Sequence, residues 1–207
     1  RIRQVNPIGR ITEAGMMKNY LMYGIILGFI VGWGIPSSEA YEVWVADQSD
    51  TAKEHGGFIY VYDGAQLAAD PAKAKPTLTL DVAKEVNDIC QKSTQKNVRR
   101  PHMIFVTKDQ KHALISFLSG HVLVMDTASK KSVACLSTGK NVHAAWPTPD
   151  QSMAIAANIA EKKLIRIWTD YQTGKFSYDP QKDVLDLQAL ESGERPDNAP
   201  ICPITEN

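Results

Sequence analysis

From Pro101 to Tyr178 the apolar residues fall in short runs, and each run is followed by two to five polar residues. The runs are rich in Val, Ile, Leu and aromatic side chains, and the gaps carry Asp, Gly and Ser. This pattern predicts antiparallel strands joined by tight hairpins, not helices. One unit holds four such strands: HMIFVT (102–107), HALISF (112–117), HVLVMD (121–126) and SVACLS (132–137). A second unit holds HAAWP, MAIAAN, KLIRIW and KFSY. In its third strand Lys162, Lys163 and Arg166 are interspersed with Leu164, Ile165 and Ile167. That mixture suits an outer strand with a wet edge.

The two units are copies of one another. RRPHMIFVTKDQKHALISF, from Arg99, returns in outline as KNVHAAWPTPDQSMAIAAN, from Lys140. His102 falls on His143, Asp109 on Asp150, Gln110 on Gln151 and Ala113 on Ala154, each at an offset of 41. A period of about 40 residues built from short strands is the mark of a four-stranded propeller blade. The fold class is therefore all-β: a partial β-propeller of about three four-stranded antiparallel blades of a larger ring.

An earlier repeat begins late. EVWVAD (42–47) matches HALISF, FIYVYD (58–63) matches HVLVMD, and PTLTL (76–80) matches the outermost strand. No innermost strand precedes them, and a further inner strand is expected at 199–204. A propeller needs at least four blades, so a closed ring calls for more repeats than these. Two insertions, 81–99 and 180–198, lie between blades, and each is expected to carry a short helix. Loops at such places commonly carry function.

The first 40 residues read as a targeting segment. Arg1, Arg3, Arg10 and Lys18 precede a stretch from Asn19 to Ser38 with no charge, and Ser38-Glu39-Ala40 offers small residues for cleavage after Ala40. Basic, apolar, small-residue is the order of a secretory signal peptide. An uncleaved anchor is the alternative, since Gly24, Gly28 and Gly32 have the spacing of a helix-pairing face. The expected organisation is signal peptide or anchor with upstream residues in 1–40, and the N-terminal part of a propeller domain in 41–207. The chain opens on Arg and ends on what resembles a new repeat, so it is expected to be a fragment of a longer exported protein. Contact with a membrane is expected only through the N-terminal segment, if it stays uncleaved. The expected location is periplasmic or secreted, or membrane-anchored facing the periplasm.

Charge and cysteines narrow the chemistry. Lys and Arg number 23, as do Asp and Glu. A neutral balance gives no basic face for nucleic acid. The three cysteines, Cys90, Cys135 and Cys202, form no C-x-x-C and no C-x-x-C-H, so the chain encodes no covalent c-type haem. In an oxidising compartment an odd count suggests one bridge and one leftover, with Cys90–Cys135 the pair to test; three isolated strand cysteines are the other reading. No dinucleotide, phosphate-loop, nucleophile-elbow, H-E-x-x-H or calcium-loop motif occurs.

RPHMIFVTKDQK, EVWVAD, HVLVMDTASKK and STGKNVHAAWPTPDQS resemble the YVTN β-propeller repeat, over residues 41 to 207 and most strongly over 99–170. The departures are Gln110 and Gln151, where glycine is commoner, and His102 and His143. The resemblance implies a secreted or periplasmic propeller. It does not imply one activity, since the repeat occurs in binding proteins, surface proteins and redox enzymes.

The candidate site lies where inner strands begin. His102 and His143 would share one rim of the central channel, able to ligate a metal or haem or to shuttle protons. The alternative is a structural histidine at each seam between blades. Arg99 and Arg100, with Arg195 before the next inner strand, could bind an anion through forked hydrogen bonds; solvated loop charge is the alternative. Trp146 could stack on a ligand or pack between blades. His55 and His121 are expected to be exposed on hairpin tips. No catalytic residue is assigned. The reading is a scaffold that binds a protein or small-molecule ligand at the rim. Its rival is a redox propeller similar to the haem-binding domain of cytochrome-type nitrite reductases or the heavy chain of quinone amine dehydrogenases.

Overall fold

The computed structural model describes residues 41–48 and 56–188. The segment ending at Ala40, the strand expected at 199–204, and His55, Arg195 and Cys202 lie outside the described residues. Three antiparallel sheets follow one another along the chain. The first holds β1 (Glu42–Asp47), β2 (Phe58–Asp63) and β3 (Leu78–Asp81) in sequence order. The second holds β4 (Pro101–Val106), β5 (His112–Phe117), β6 (His121–Asp126) and β7 (Ser132–Ser137). The third holds β8 (Val142–Pro147), β9 (Met153–Asn158), β10 (Lys163–Asp170) and β11 (Lys175–Ser177), with β12 (Val184–Asp186) on its outer edge.

Strand alternation sends side chains to both faces of the middle sheet. Ile115, Phe117, Leu123 and Met125 turn toward the first sheet and meet Ile59, Leu80, Val82 and Val86. Leu114, Val122 and Val124 turn toward the third and meet Val142, Ala145, Ala154, Ala156, Ile165 and Ile167. The small alanines of β8 and β9 let the second and third sheets approach closely. Sheets stacked face on face, with β1 against β4 and β4 against β8 along one side, form part of a β-propeller. β1 stands to β4 as β5 stands to β8, so it takes the place of a second strand. Among the described residues the first blade has three strands.

The first insertion does form helix. Val82–Val86 makes one wide π turn, and α2 (Asn87–Thr94) follows; the earlier helix α1 (Gly64–Ala69) lies between β2 and β3. Asp81 caps the wide turn by accepting from the backbone of Ala83 at 3.1 Å. Cys90 on α2 is bridged to Cys135 on β7, with Cα atoms 5.0 Å apart. The bridge ties the insertion to the outermost strand of the second blade.

Two expectations need correction. Val184–Asp186, in the insertion expected to carry a short helix, pairs as a strand with Lys163–Ile165 of β10, and residues 189–198 of that insertion lie outside the described residues. β10 is eight residues long and β11 covers only Trp168–Asp170, so the rest of its edge takes β12 as a second partner. His121, expected at an exposed tip, is 1% exposed. The Ser119-Gly120 turn does precede it, but α2 lies over that turn. Thr94 Oγ1 is 3.2 Å from His121 Nε2, and Ser119 Oγ is 3.1 Å from Nδ1.

The hairpin turns repeat in detail. Thr107 Oγ1 donates to Asp109 as Thr148 Oγ1 donates to Asp150, and these bonds hold both carboxyls below their ordinary range, Asp150 at about 2. Gln110 and Gln151 have φ of 60° and 59°, the left-handed region that explains why glycine is the commoner residue there.

Candidate functional site

His102 and His143 occupy equivalent positions on successive blades and touch. His102 Nε2 lies 2.7 Å from His143 Nδ1, with ring centroids 4.5 Å apart. On its other side, Nδ1 of His102 is hydrogen-bonded to the Gln48 amide. A row Gln48–His102–His143 thus crosses all three sheets. With the Gln48 amide N–H donating to Nδ1, His102 carries its proton on Nε2 and donates to His143 Nδ1. His143 then holds its own proton on Nε2.

The backbone explains why the histidines leave the sheets. The β8–β9 register jumps from Val142↔Asn158 to Ala144↔Ala157, so His143 is the extra residue of a bulge. The β4–β5 register jumps between Pro101↔Phe117 and Ile104↔Ile115, and Ser116 bonds the backbone of Met103 at 3.1 Å, which leaves His102 as the extra residue. A bulge re-aims its side chain. Both bulges therefore place an imidazole on the inner side of its blade, in equivalent positions. Neither ring is fully buried. Burial, followed by His143 and the Arg100 cation, lowers the His102 pKa from its ordinary value.

The arginine backbones help to set the turns into the inner strand. Arg100 has φ of 61° and its carbonyl accepts from Leu118 at 3.0 Å; Asn141, 41 residues on, has φ of 54° and accepts from Ile159 at 3.0 Å. The shared geometry shows that this position turns the chain into each inner strand. Arg99 accepts from Ser119 N at 3.3 Å and donates to Ser119 Oγ at 2.9 Å through its own backbone. Both arginine residues are exposed, and the Arg100 cation acts on His102. Trp146 is 38% exposed, and its ring lies 6.0 Å from that of Phe105, tilted by 55°.

Gln48, Phe105 and Ser116 were not singled out by the sequence. Phe105 falls on Trp146 at the same offset of 41, so the repeat carried a signal for it. Gln48 follows a strand that copies β5, where the equivalent residue is Leu118, and nothing marks it. Among the described residues no group of three or more His, Cys, Asp or Glu side chains comes together.

No protein-family model matches this chain. No curated protein matches it either. Solved structures do. A putative 6-phosphogluconolactonase from Bacteroides fragilis aligns at 14% identity with a TM-score of 0.48, over 70% of this chain and 38% of its own. The periplasmic gluconolactonase of Pseudomonas aeruginosa aligns at 16% identity with a TM-score of 0.47, over 64% and 35%. A dihydro-heme d1 dehydrogenase aligns at 15% identity with a TM-score of 0.41, over 60% and 21%. The chain spans little more than a third of the length of these structures at most.

Proposed function

We propose that this chain is part of an exported β-propeller of the YVTN-repeat kind, and that it binds a ligand at the rim of its channel. One observation carries the reading: the imidazoles of His102 and His143 are bonded to one another and to Gln48, not to a backbone carbonyl at each seam. Here bulges turn both rings out of the sheets, toward the side where inner strands meet. Arg100 stands exposed near His102 and adds positive charge that suits an anionic group. Export is supported by the basic, apolar, small-residue order of residues 1–40 and by the Cys90–Cys135 bridge.

The test uses the full-length protein purified from its native host. Small molecules released on denaturation are compared by mass spectrometry between wild type and the His102→Ala/His143→Ala double variant, and the visible spectrum is recorded first. The reading expects a colourless protein and an organic species lost in the double variant. Equal retention by both proteins, or nothing retained, overturns rim binding. A Soret or quinone band overturns the scaffold in favour of a redox propeller.

A further inference from the structure

We propose that His102 and His143 form a two-imidazole site for a divalent transition metal of tetragonal preference, Cu(II) first and Ni(II) second. The inference rests on the reading that this rim is a binding surface, and it names a metal ion as a ligand there.

The two facing nitrogens are 2.7 Å apart. Metal–imidazole bonds of about 2.0–2.1 Å set cis donors about 2.9 Å apart at a right angle and about 3.3 Å apart in a tetrahedron. The square arrangement asks the rings to part by only about 0.2 Å, the tetrahedral one by about 0.6 Å. Both rings are partly exposed and can rotate to aim their lone pairs at one point. A right-angled pair of nitrogens favours Cu(II) or Ni(II) over zinc, and Cu(II) binds nitrogen donors most strongly among the divalent ions of this series.

The surroundings fit a ligating pair. Both backbones are fixed by bulges, and the buried Ser116 is bonded to both, at Met103 N and His143 O. A ligating histidine normally engages its second nitrogen in a hydrogen bond that orients the ring. Gln48 supplies that bond to His102 Nδ1. On metal binding the His102 proton moves from Nε2 to Nδ1, and Gln48 turns its amide to present Oε1 as acceptor. His143 binds through Nδ1 and keeps its proton on Nε2, so two neutral imidazoles bind and no net proton is released. Other positions around the metal stay open to water or a small ligand. Arg100 is the opposing feature, since its cation lies near His102.

The test is a Cu(II) titration of the full-length protein followed by electron paramagnetic resonance. The expected result is an axial signal with hyperfine splitting from two nitrogens. His102→Ala and His143→Ala should each weaken Cu(II) binding by at least about tenfold and remove one nitrogen from the pattern, and Gln48→Ala should cost about tenfold with both nitrogens kept. Arg100→Ala should tighten binding severalfold. His112→Ala, at a histidine outside the row, should change nothing. A signal unaltered in both rim variants, or no bound Cu(II) in a folded wild type, overturns the proposal. Bound Cu(II) with no retained organic molecule upholds this site and sinks organic ligand binding at the rim. A retained organic molecule with no copper signal does the converse.

Discussion

The hydroxyl of Ser116 donates to the carbonyl of His143 at 2.8 Å, across the seam between the second and third blades. The same oxygen accepts from the backbone of Met103 at 3.1 Å. One side chain, 0% exposed, therefore satisfies a polar group at each of the two bulges that carry the histidine row.

Ser116→Ala should thus cost more than one ordinary hydrogen bond. It leaves a partly buried N–H and a partly buried carbonyl short of a partner, for a loss of about 2 kcal/mol. The urea midpoint should fall while the slope of the transition stays the same. The histidine pair should also loosen, visible as changed imidazole nitrogen chemical shifts in both rings by NMR. A variant as stable as wild type would show that water or a backbone shift fills the place.

His121 gives the fold a dependence on pH. Burial, with a smaller push from the Lys96 cation, lowers its pKa from the ordinary 6.5 to about 4. The unfolded chain therefore binds a proton more readily than the folded one between these values. Stability from this group is complete above the unfolded value and is lost as pH falls toward the folded one. Roughly 2 kcal/mol should be gone by about pH 5. Urea denaturation over that interval checks the slope, and His121→Gln should flatten it. An unchanged slope in that variant would assign the acid sensitivity to another group.

The strands, their order and the 41-residue offset were legible because they rest on local signals: alternation, β-branching and turn residues. Leu114 and Ile115 point to opposite seams simply by being neighbours on a strand. His102 and His143 were legible as a pair, because equivalent positions on successive blades must share a rim. Their contact was not, since it depends on one extra residue in each inner strand, and a bulge leaves no mark in the hydrophobic pattern. His121 was misplaced for a related reason. Its own turn looks like a tip, and only the packing of α2, a long-range event, buries it. Gln48 belongs to the row through a contact 54 residues apart in the chain. The strand at Val184–Asp186 was hidden by its length, three residues without alternation enough to distinguish strand from helix.

The Cys90–Cys135 bridge spans 45 residues and fastens α2 to β7. In the chain-entropy account a loop of that size contributes about 4 kcal/mol by restricting the unfolded state. The half-cystines are 0% and 7% exposed, so reduction should be slow until the blade opens. The paired Cys90→Ser/Cys135→Ser variant should lose on the order of ten degrees in Tm, and the wild type should show the same loss under strong reductant. Thiol counting under denaturing conditions is the direct check. Free thiols at both positions in protein recovered from its native compartment would refute the bridge.

Among the described glycines Gly120 is the least open to change. Its φ is 97°, and a Cβ placed there would stand 1.7 Å from the carbonyl oxygen of Gly139. That oxygen is backbone, in the connection from β7 to β8, and cannot swing aside as a flexible side chain would. Thr138 N also donates to the Gly120 carbonyl at 2.9 Å, so the two turns are pinned together at the seam. Gly120→Ala must either push the third blade off the second or break this bond. Gly174 separates clash from strain. Its φ of 69° is also left-handed, yet the nearest atom to a new Cβ is Val133 Cγ1 at 3.6 Å, an ordinary contact. Gly174→Ala should therefore cost only the backbone term of about 1–2 kcal/mol. Gly120→Ala should cost more than about 4 kcal/mol and disturb the packing of Val122 and Val124 against the third sheet. Tm values of the two variants, measured side by side, decide the matter, and equal losses would mean that the seam yields where the close approach of the two turns says it cannot.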